Sequence, residues 1–162
     1  MEKLYGLEIK WLSVTCFELK FGGITVVTDP YITECVGTDM TWEAIEKCDI
    51  ICLTHAHWDH ITDIPRLVEK FHPLIMCGEQ TAMPLARWLD YTPSRIYPMY
   101  PNQELDFDDV KIKALYGRHT DLKKGFKDPK NFQRKYPPRV QFVRTSLGGK
   151  LIKLFVESFE DS

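Results

Sequence analysis

Four metal-capable side chains fall within six residues of the stretch LTHAHWDH (residues 53–60): His55, His57, Asp59 and His60. The whole chain has five histidines, so three of them are spent here. Imidazole and carboxylate are the borderline and hard donors that suit zinc, manganese or iron. The HxH step puts two imidazoles on one side of an extended backbone, and the DH step offers two further donors a short distance on. A loop leaving a strand lets these groups converge in a way that a regular helix would not. A pair of metals about 3.5–4 Å apart can hold a bridging hydroxide and polarise a carbonyl or phosphoryl oxygen. The bland alternative is a histidine-rich surface loop. The position of the cluster, directly after the apolar run of residues 49–53, weighs against it, because loops at strand ends are where sites are usually built.

The elements around the cluster read as strands, then helices between strands. Residues 7–12, 14–21 and 24–28 are β-rich, with Phe21-Gly22-Gly23 as a turn. A helix is expected over residues 42–47 with Thr41 as N-cap, and a buried strand over 49–53. A helix should follow over 63–71, with Pro65 in its first turn and Thr62 or Asp63 capping. A strand over 74–77 and a helix over 83–89, capped by Thr81, come next. Strands return at 95–97, 104–107 and 110–116, with a turn at Asp108-Asp109. Residues 121–138 show no periodicity. Residues 139–145 and 150–157 read as a hairpin around Ser146-Leu147-Gly148-Gly149. The pattern is sheets covered by helices, an α+β arrangement in a single domain over residues 1–162.

Composition narrows the function classes. The 162 residues are 44 % apolar and 12 % aromatic, enough for a real core, and the formal charge of −2 exerts no global pull on nucleic acid or anionic lipid. No apolar run is long enough for a membrane-spanning helix, and the first residues lack a signal-peptide core. The five cysteines are scattered without a CxxC pair, which reads as free thiols in a reducing cytoplasm.

HAHWDH fits the HxHxDH motif, and on these residues the chain resembles the metallo-β-lactamase superfamily. WLSVTCFELKFGGITVVTDPY resembles that superfamily's opening hairpin, and GRHT offers a downstream histidine at a strand end. The flavour is closest to the branch of ascorbate-6-phosphate lactonase and related cytoplasmic hydrolases. The resemblance runs over roughly residues 7–157 and weakens after His119. It implies an αββα sandwich, of which this chain carries the amino-terminal part. It implies a first metal on His55, His57 and His119, a second on Asp59 and His60, and Asp29 supporting a metal-binding histidine from behind. The cofactor would be one or two zinc ions, with manganese or iron as alternatives. Three imidazoles with an open position is a common catalytic zinc pattern, and a metal lowers the pKa of bound water towards about 7. The implied reaction is hydrolysis of a lactone, ester or phosphodiester by metal-bound hydroxide, with Asp59 orienting the water or taking its proton. The other class kept in view is a catalytically weak metal-binding or partner-binding module of the same fold.

The family pattern continues with a bridging Gly-Asp aspartate and a last histidine. Here Glu157, Glu160 and Asp161 are the only carboxylates near that place, and no histidine follows His119. The resemblance therefore implies a convincing ligand set for one metal, and an apolar sheet face that self-association would cover. Of the remaining residues, His72 reads as a helix-end residue rather than a ligand, and Asp63 as a cap rather than part of the ligand network. Trp58 reads equally as entrance lining or packing. The basic stretch from Asp121 to Arg139 interleaves Lys123, Lys124, Lys127, Lys130, Arg134 and Lys135 with Phe126, Phe132 and Tyr136. A solvated loop is its first reading, steering of a phosphorylated small-molecule substrate the second, and single-stranded nucleic acid the third.

Overall fold

The computed structural model describes the backbone of residues 2–4, 6–107, 110–117, 142–147 and 150–152, and the side chains of 6–107 and 110–117. The Asp108-Asp109 turn, His119, the basic stretch and the carboxylates after Glu157 lie outside the described residues.

Among the described residues, two sheets form. The first has seven strands in sequential order: β1 (Glu2–Leu4), β2 (Leu7–Ser13), β3 (Cys16–Phe21), β4 (Ile24–Thr28), β5 (Ile50–Cys52), β6 (Leu74–Gly78) and β7 (Ile96–Met99). Strands β1 to β4 pair antiparallel, and β4 to β7 pair parallel. The second sheet is antiparallel, ordered β11 (Lys150–Ile152), β10 (Phe142–Leu147), β9 (Val110–Leu115), β8 (Glu104–Phe107). The hairpin between β3 and β4 turns on Gly22 and Gly23, both at positive φ (53° and 75°). A two-residue turn of that hand matches the twist of its strands and requires residues without a Cβ penalty.

Period-two alternation in β4 and β5 explains why the first sheet is buried on both faces. Val26, Ile50 and Cys52 join the core shared with Val110, Ile112 and Ala114 of the second sheet. Val27 and Ile51 face the other way, into the core under the helices. Those helices are α2 (Ile64–Phe71) and α3 (Glu79–Leu89), preceded by a single turn, α1 (Trp58–Ile61). Leu67 and Val68 of α2 and Ala82, Leu85 and Ala86 of α3 supply that core. The layers run helix, sheet, sheet, which is the amino-terminal part of an αββα sandwich.

Several local expectations are corrected. The helix over 42–47 is only a 3-10 turn, Trp42–Ala44. Ile45 leaves it in extended conformation and is fully buried, so core packing wins over continued helix. Thr41 stands at the cap position, but its hydroxyl donates to Glu43 Oε2 (2.8 Å) instead of accepting from the backbone. Helix α3 begins at Glu79 with Gly78 as N-cap, because β6 passes into it without a loop. Thr81 is therefore buried inside the helix, and Pro84 falls in its interior. His72 ends α2 in the left-handed region (φ 51°), its N–H donating to the Val68 carbonyl, in keeping with the helix-end reading.

Asp63 occupies the N-cap position of α2 but its side chain does not cap the helix. Its Oδ2 accepts the backbone N–H groups of Ile32 (2.7 Å) and Thr33 (2.9 Å), and its Oδ1 accepts Arg66 Nη1 (2.7 Å). The loop after β4 approaches closely enough that two orphan donors claim the fully buried carboxylate. All five cysteines are free thiols. Cys16, Cys48, Cys52 and Cys77 are buried, and burial raises the pKa of each, Cys77 to about 12.

Removing the Asp63 carboxylate strands those two amides. Asp63→Ala should therefore cost about 2–3 kcal/mol of unfolding free energy. Arg66→Ala, which removes an exposed partner, should cost under about 1 kcal/mol. Urea unfolding of the two variants checks the contrast; equal losses would contradict it.

Candidate metal centre

The cluster sits at the carboxyl ends of β4 and β5, the edge where open parallel sheets usually carry their sites. Parallel pairing sets Thr28 against Cys52, so the next residue of β4, Asp29, lies beside the start of the cluster. Its N–H donates to the Cys52 carbonyl (3.1 Å), and its Oδ1 accepts the Thr54 N–H (2.6 Å). Asp29 is fully buried and adopts φ +39°, a left-handed conformation that aspartate tolerates better than most residues. Backbone strain of this kind concentrates at functional sites.

Extended backbone from β5 carries His55 and His57, and α1 then begins with His57 as N-cap. Half of the cluster is thus helical rather than loop, against expectation. The His60 N–H closes onto the His57 carbonyl (3.0 Å), turning the His60 side chain back towards Asp29. The rings gather: His55 and His57 centroids are 4.4 Å apart, and His55 and His60 4.0 Å. His55 Nε2 and His57 Nδ1 are 2.9 Å apart. Asp59 is partly exposed, with Oδ1 3.9 Å from His60 Nε2. Trp58 packs edge-on against Tyr31 (5.1 Å, 82°), which gives it a packing role.

His60 Nδ1 faces three oxygens: Asp29 Oδ2 at 3.0 Å, Thr15 Oγ1 at 3.1 Å and Thr54 Oγ1 at 3.3 Å. The Asp29 contact is a close ion pair rather than a well-aligned hydrogen bond, since Oδ2 is buried and meets no donor in good alignment. Burial disfavours charge on His60, yet its contact with Asp29 and the charges of Asp29 and Asp59 prevail, and its pKa is raised above the ordinary 6.5. Thr54 Oγ1 also lies 2.9 Å from His55 Nδ1. Neither Thr54 nor Thr15 stood out from the sequence. The available signal was a hydroxyl residue directly before the first histidine.

Among the described residues, no group of three His, Cys, Asp or Glu side chains forms a ready-made metal site. His55 and His57 are in contact with each other, and His119 lies outside the described residues. The donor set nevertheless suits a metal. Two nitrogens on one tetrahedral zinc stand roughly 3.4 Å apart, and His55 Nε2 and His57 Nδ1 already share one small space. The buried, poorly satisfied Oδ2 of Asp29 calls for positive charge beyond His60, which a metal on that ring would provide.

Comparison with known proteins agrees with this architecture. A family profile described as "Beta-lactamase superfamily domain" matches residues 25–135, and the chain belongs to that superfamily. A "UPF0173 metal-dependent hydrolase" of Lysinibacillus sphaericus (strain C3-41) is 30 % identical over 113 residues, covering 70 % of this chain and 48 % of the relative. This chain thus spans about half the length of the curated relatives it matches. Two solved structures share the fold. Igni18, a metallo hydrolase from Ignicoccus hospitalis KIN4/I, has TM-score 0.67 and 18 % identity over 90 % of this chain and 58 % of its own. CmlA, a diiron β-hydroxylase from Streptomyces venezuelae, has TM-score 0.62 and 16 % identity over 93 % of this chain and 29 % of its own.

Two outcomes follow from the Asp29 geometry. Asp29→Asn keeps an acceptor for the Thr54 N–H and tolerates the backbone conformation, but removes the charge behind His60. Zinc affinity should fall about ten- to hundred-fold with little change in melting temperature; equilibrium dialysis and thermal unfolding check the pair of readings. The raised His60 pKa also has a sign. Its stabilisation is fully present below the unfolded value, about 6.5, and is lost as pH rises through the higher folded value. In metal-free protein, the stability difference between wild type and His60→Gln should therefore shrink above about pH 6.5. A difference that grows with pH, measured by urea midpoints, would refute the assignment.

Proposed function

We propose that the chain forms the metal-binding part of a metal-dependent hydrolase acting on a lactone, ester or phosphodiester. The observation that carries this reading is the convergence of His55, His57 and His60 at the ends of β4 and β5, backed by the buried Asp29 carboxylate. His55 and His57, with His119, would hold one metal, and His60 with Asp59 would contribute to a second. A bound divalent metal supplies Lewis acidity towards water and the substrate's carbonyl or phosphoryl oxygen. Asp59, partly exposed at the front of the cluster, would take the proton released at its carboxylate oxygen. Asp29 would hold the His60 ring through Nδ1 and leave Nε2 for ligation. Zinc is the first candidate; iron is tested beside it, because the same fold carries a diiron enzyme in CmlA.

Metal content per chain is the primary test. Near two metals, with turnover of a generic phosphodiester or lactone, supports the hydrolase. Near one metal without turnover supports a metal-binding or partner-binding module of the same fold. His55→Ala and His119→Ala should each abolish stoichiometric metal and any turnover; unchanged binding in both removes the assignment. Self-association is carried forward as part of this proposal, and a monomer by light scattering at micromolar concentration would reject it.

A further inference from the structure

Two segments brace the histidine cluster, and both carry large apolar side chains that the fold leaves in solvent. The first is the turn from β2 into β3. Its Thr15 hydroxyl lies 3.1 Å from His60 Nδ1, while Val14 is 54 % exposed and Trp11 55 %. The indole N–H of Trp11 donates to the Val14 carbonyl (3.2 Å). Its polar atom is thus spent within the turn, and its apolar surface is what remains for a partner. The second segment follows β4. Tyr31 packs edge-on against Trp58 of the cluster, and its hydroxyl donates to the Glu34 carbonyl (3.0 Å). Val36, two residues further on, is fully exposed. The Ser13 hydroxyl donates to the Tyr31 carbonyl and so fastens the two segments together.

The fold does not need these three side chains, because Leu12 and Ile32 of the same segments already fill the core beneath. A single exposed valine is ordinary. Three exposed apolar side chains, on two segments tied to each other and to one cluster, make a rim of the kind that marks a binding site. Charge points the same way. Residues 11–15 carry no charged side chain, and residues 29–36 and 53–60 carry Asp29, Glu34 and Asp59 but no lysine or arginine. An anionic phosphodiester would meet carboxylates there, whereas a neutral acyl group would not be opposed.

We propose that Trp11, Val14 and Val36 form an apolar rim of the candidate metal centre that receives the hydrocarbon part of a neutral ester or lactone. The proposal takes its reaction from the hydrolase reading above and narrows the substrate class. In that hydrolysis the oxygen of water bonds to the acyl carbon, and the bond from that carbon to the alcohol oxygen breaks. The proton given up by the water goes to Asp59 and then to the departing alcohol oxygen. The rim holds the hydrocarbon chain and takes no part in either bond.

Binding and turnover are read separately. Protein carrying carbon-13 valine methyl groups is titrated with methyl octyl ketone, a neutral ester isostere that cannot be hydrolysed, and with diethyl phosphate. The Val14 and Val36 methyl signals should move with methyl octyl ketone, at concentrations about tenfold below those needed for methyl ethyl ketone. They should stay fixed with diethyl phosphate. Trp11→Ala and Val14→Ser, both at exposed positions, should each weaken methyl octyl ketone binding about threefold or more, read at Val36. In turnover, para-nitrophenyl octanoate should be preferred over the acetate about tenfold in kcat/KM, and either substitution should reduce that ratio. Valine signals that ignore methyl octyl ketone, or that respond equally to diethyl phosphate, overturn the proposal, even where esters are hydrolysed. So does a chain-length preference unchanged in both variants. Methyl octyl ketone bound at the rim without turnover of either ester sinks the hydrolase reading and leaves the rim as an apolar binding site.

Discussion

A buried carboxylate at the end of β4 organises this structure. Asp29 has no solvent to share its charge, so it must find positive partners inside the protein, and the fold arranges them. The Thr54 amide takes one oxygen and the His60 ring the other. Both partners are delivered by β5 and the turn that follows, so the carboxylate holds β4 and the histidine cluster in one geometry. The left-handed backbone at Asp29 is the local cost of aiming that side chain along the strand ends.

The rest of the architecture can be understood as what keeps this contact in register. Parallel pairing of β4 with β5 fixes Asp29 against the residues after Cys52 to within a single position. A slip of one residue would turn Ile51 into the wrong core and move the histidines away from Asp29. Two cores, one on each face of the sheet, prevent that slip. A second buried carboxylate, Asp63, pins the loop after β4 to the start of α2, so the segment leaving Asp29 is fastened at both ends.

The histidine cluster, the buried strand before it and the glycine turn were legible because each leaves a local signature: donor spacing, an apolar run, or residues that tolerate positive φ. Asp29 was reached through resemblance rather than spacing, since its contact with His60 spans strands that only the sheet brings together. The short helix after Thr41 and the cap at Thr81 failed for one reason: tertiary packing overrode propensity, at Ile45 in the first case and at the β6–α3 junction in the second. Asp63 was placed correctly in sequence but not in role, because its partners, Ile32 and Thr33, come from thirty residues upstream. Thr54 was invisible for a different reason. A threonine beside a histidine is common, and only coordinates reveal that its oxygen lies between two imidazoles.

Two buried thiols, Cys16 and Cys52, lie close to the Asp29 carboxylate. Burial is the main cause that raises the Cys16 and Cys52 thiols, and the negative charge of Asp29 raises both further. A soft metal seeking thiolate would find only protonated, walled-off sulfur there. The same protonation shields Cys16 and Cys52 from oxidants and alkylating reagents.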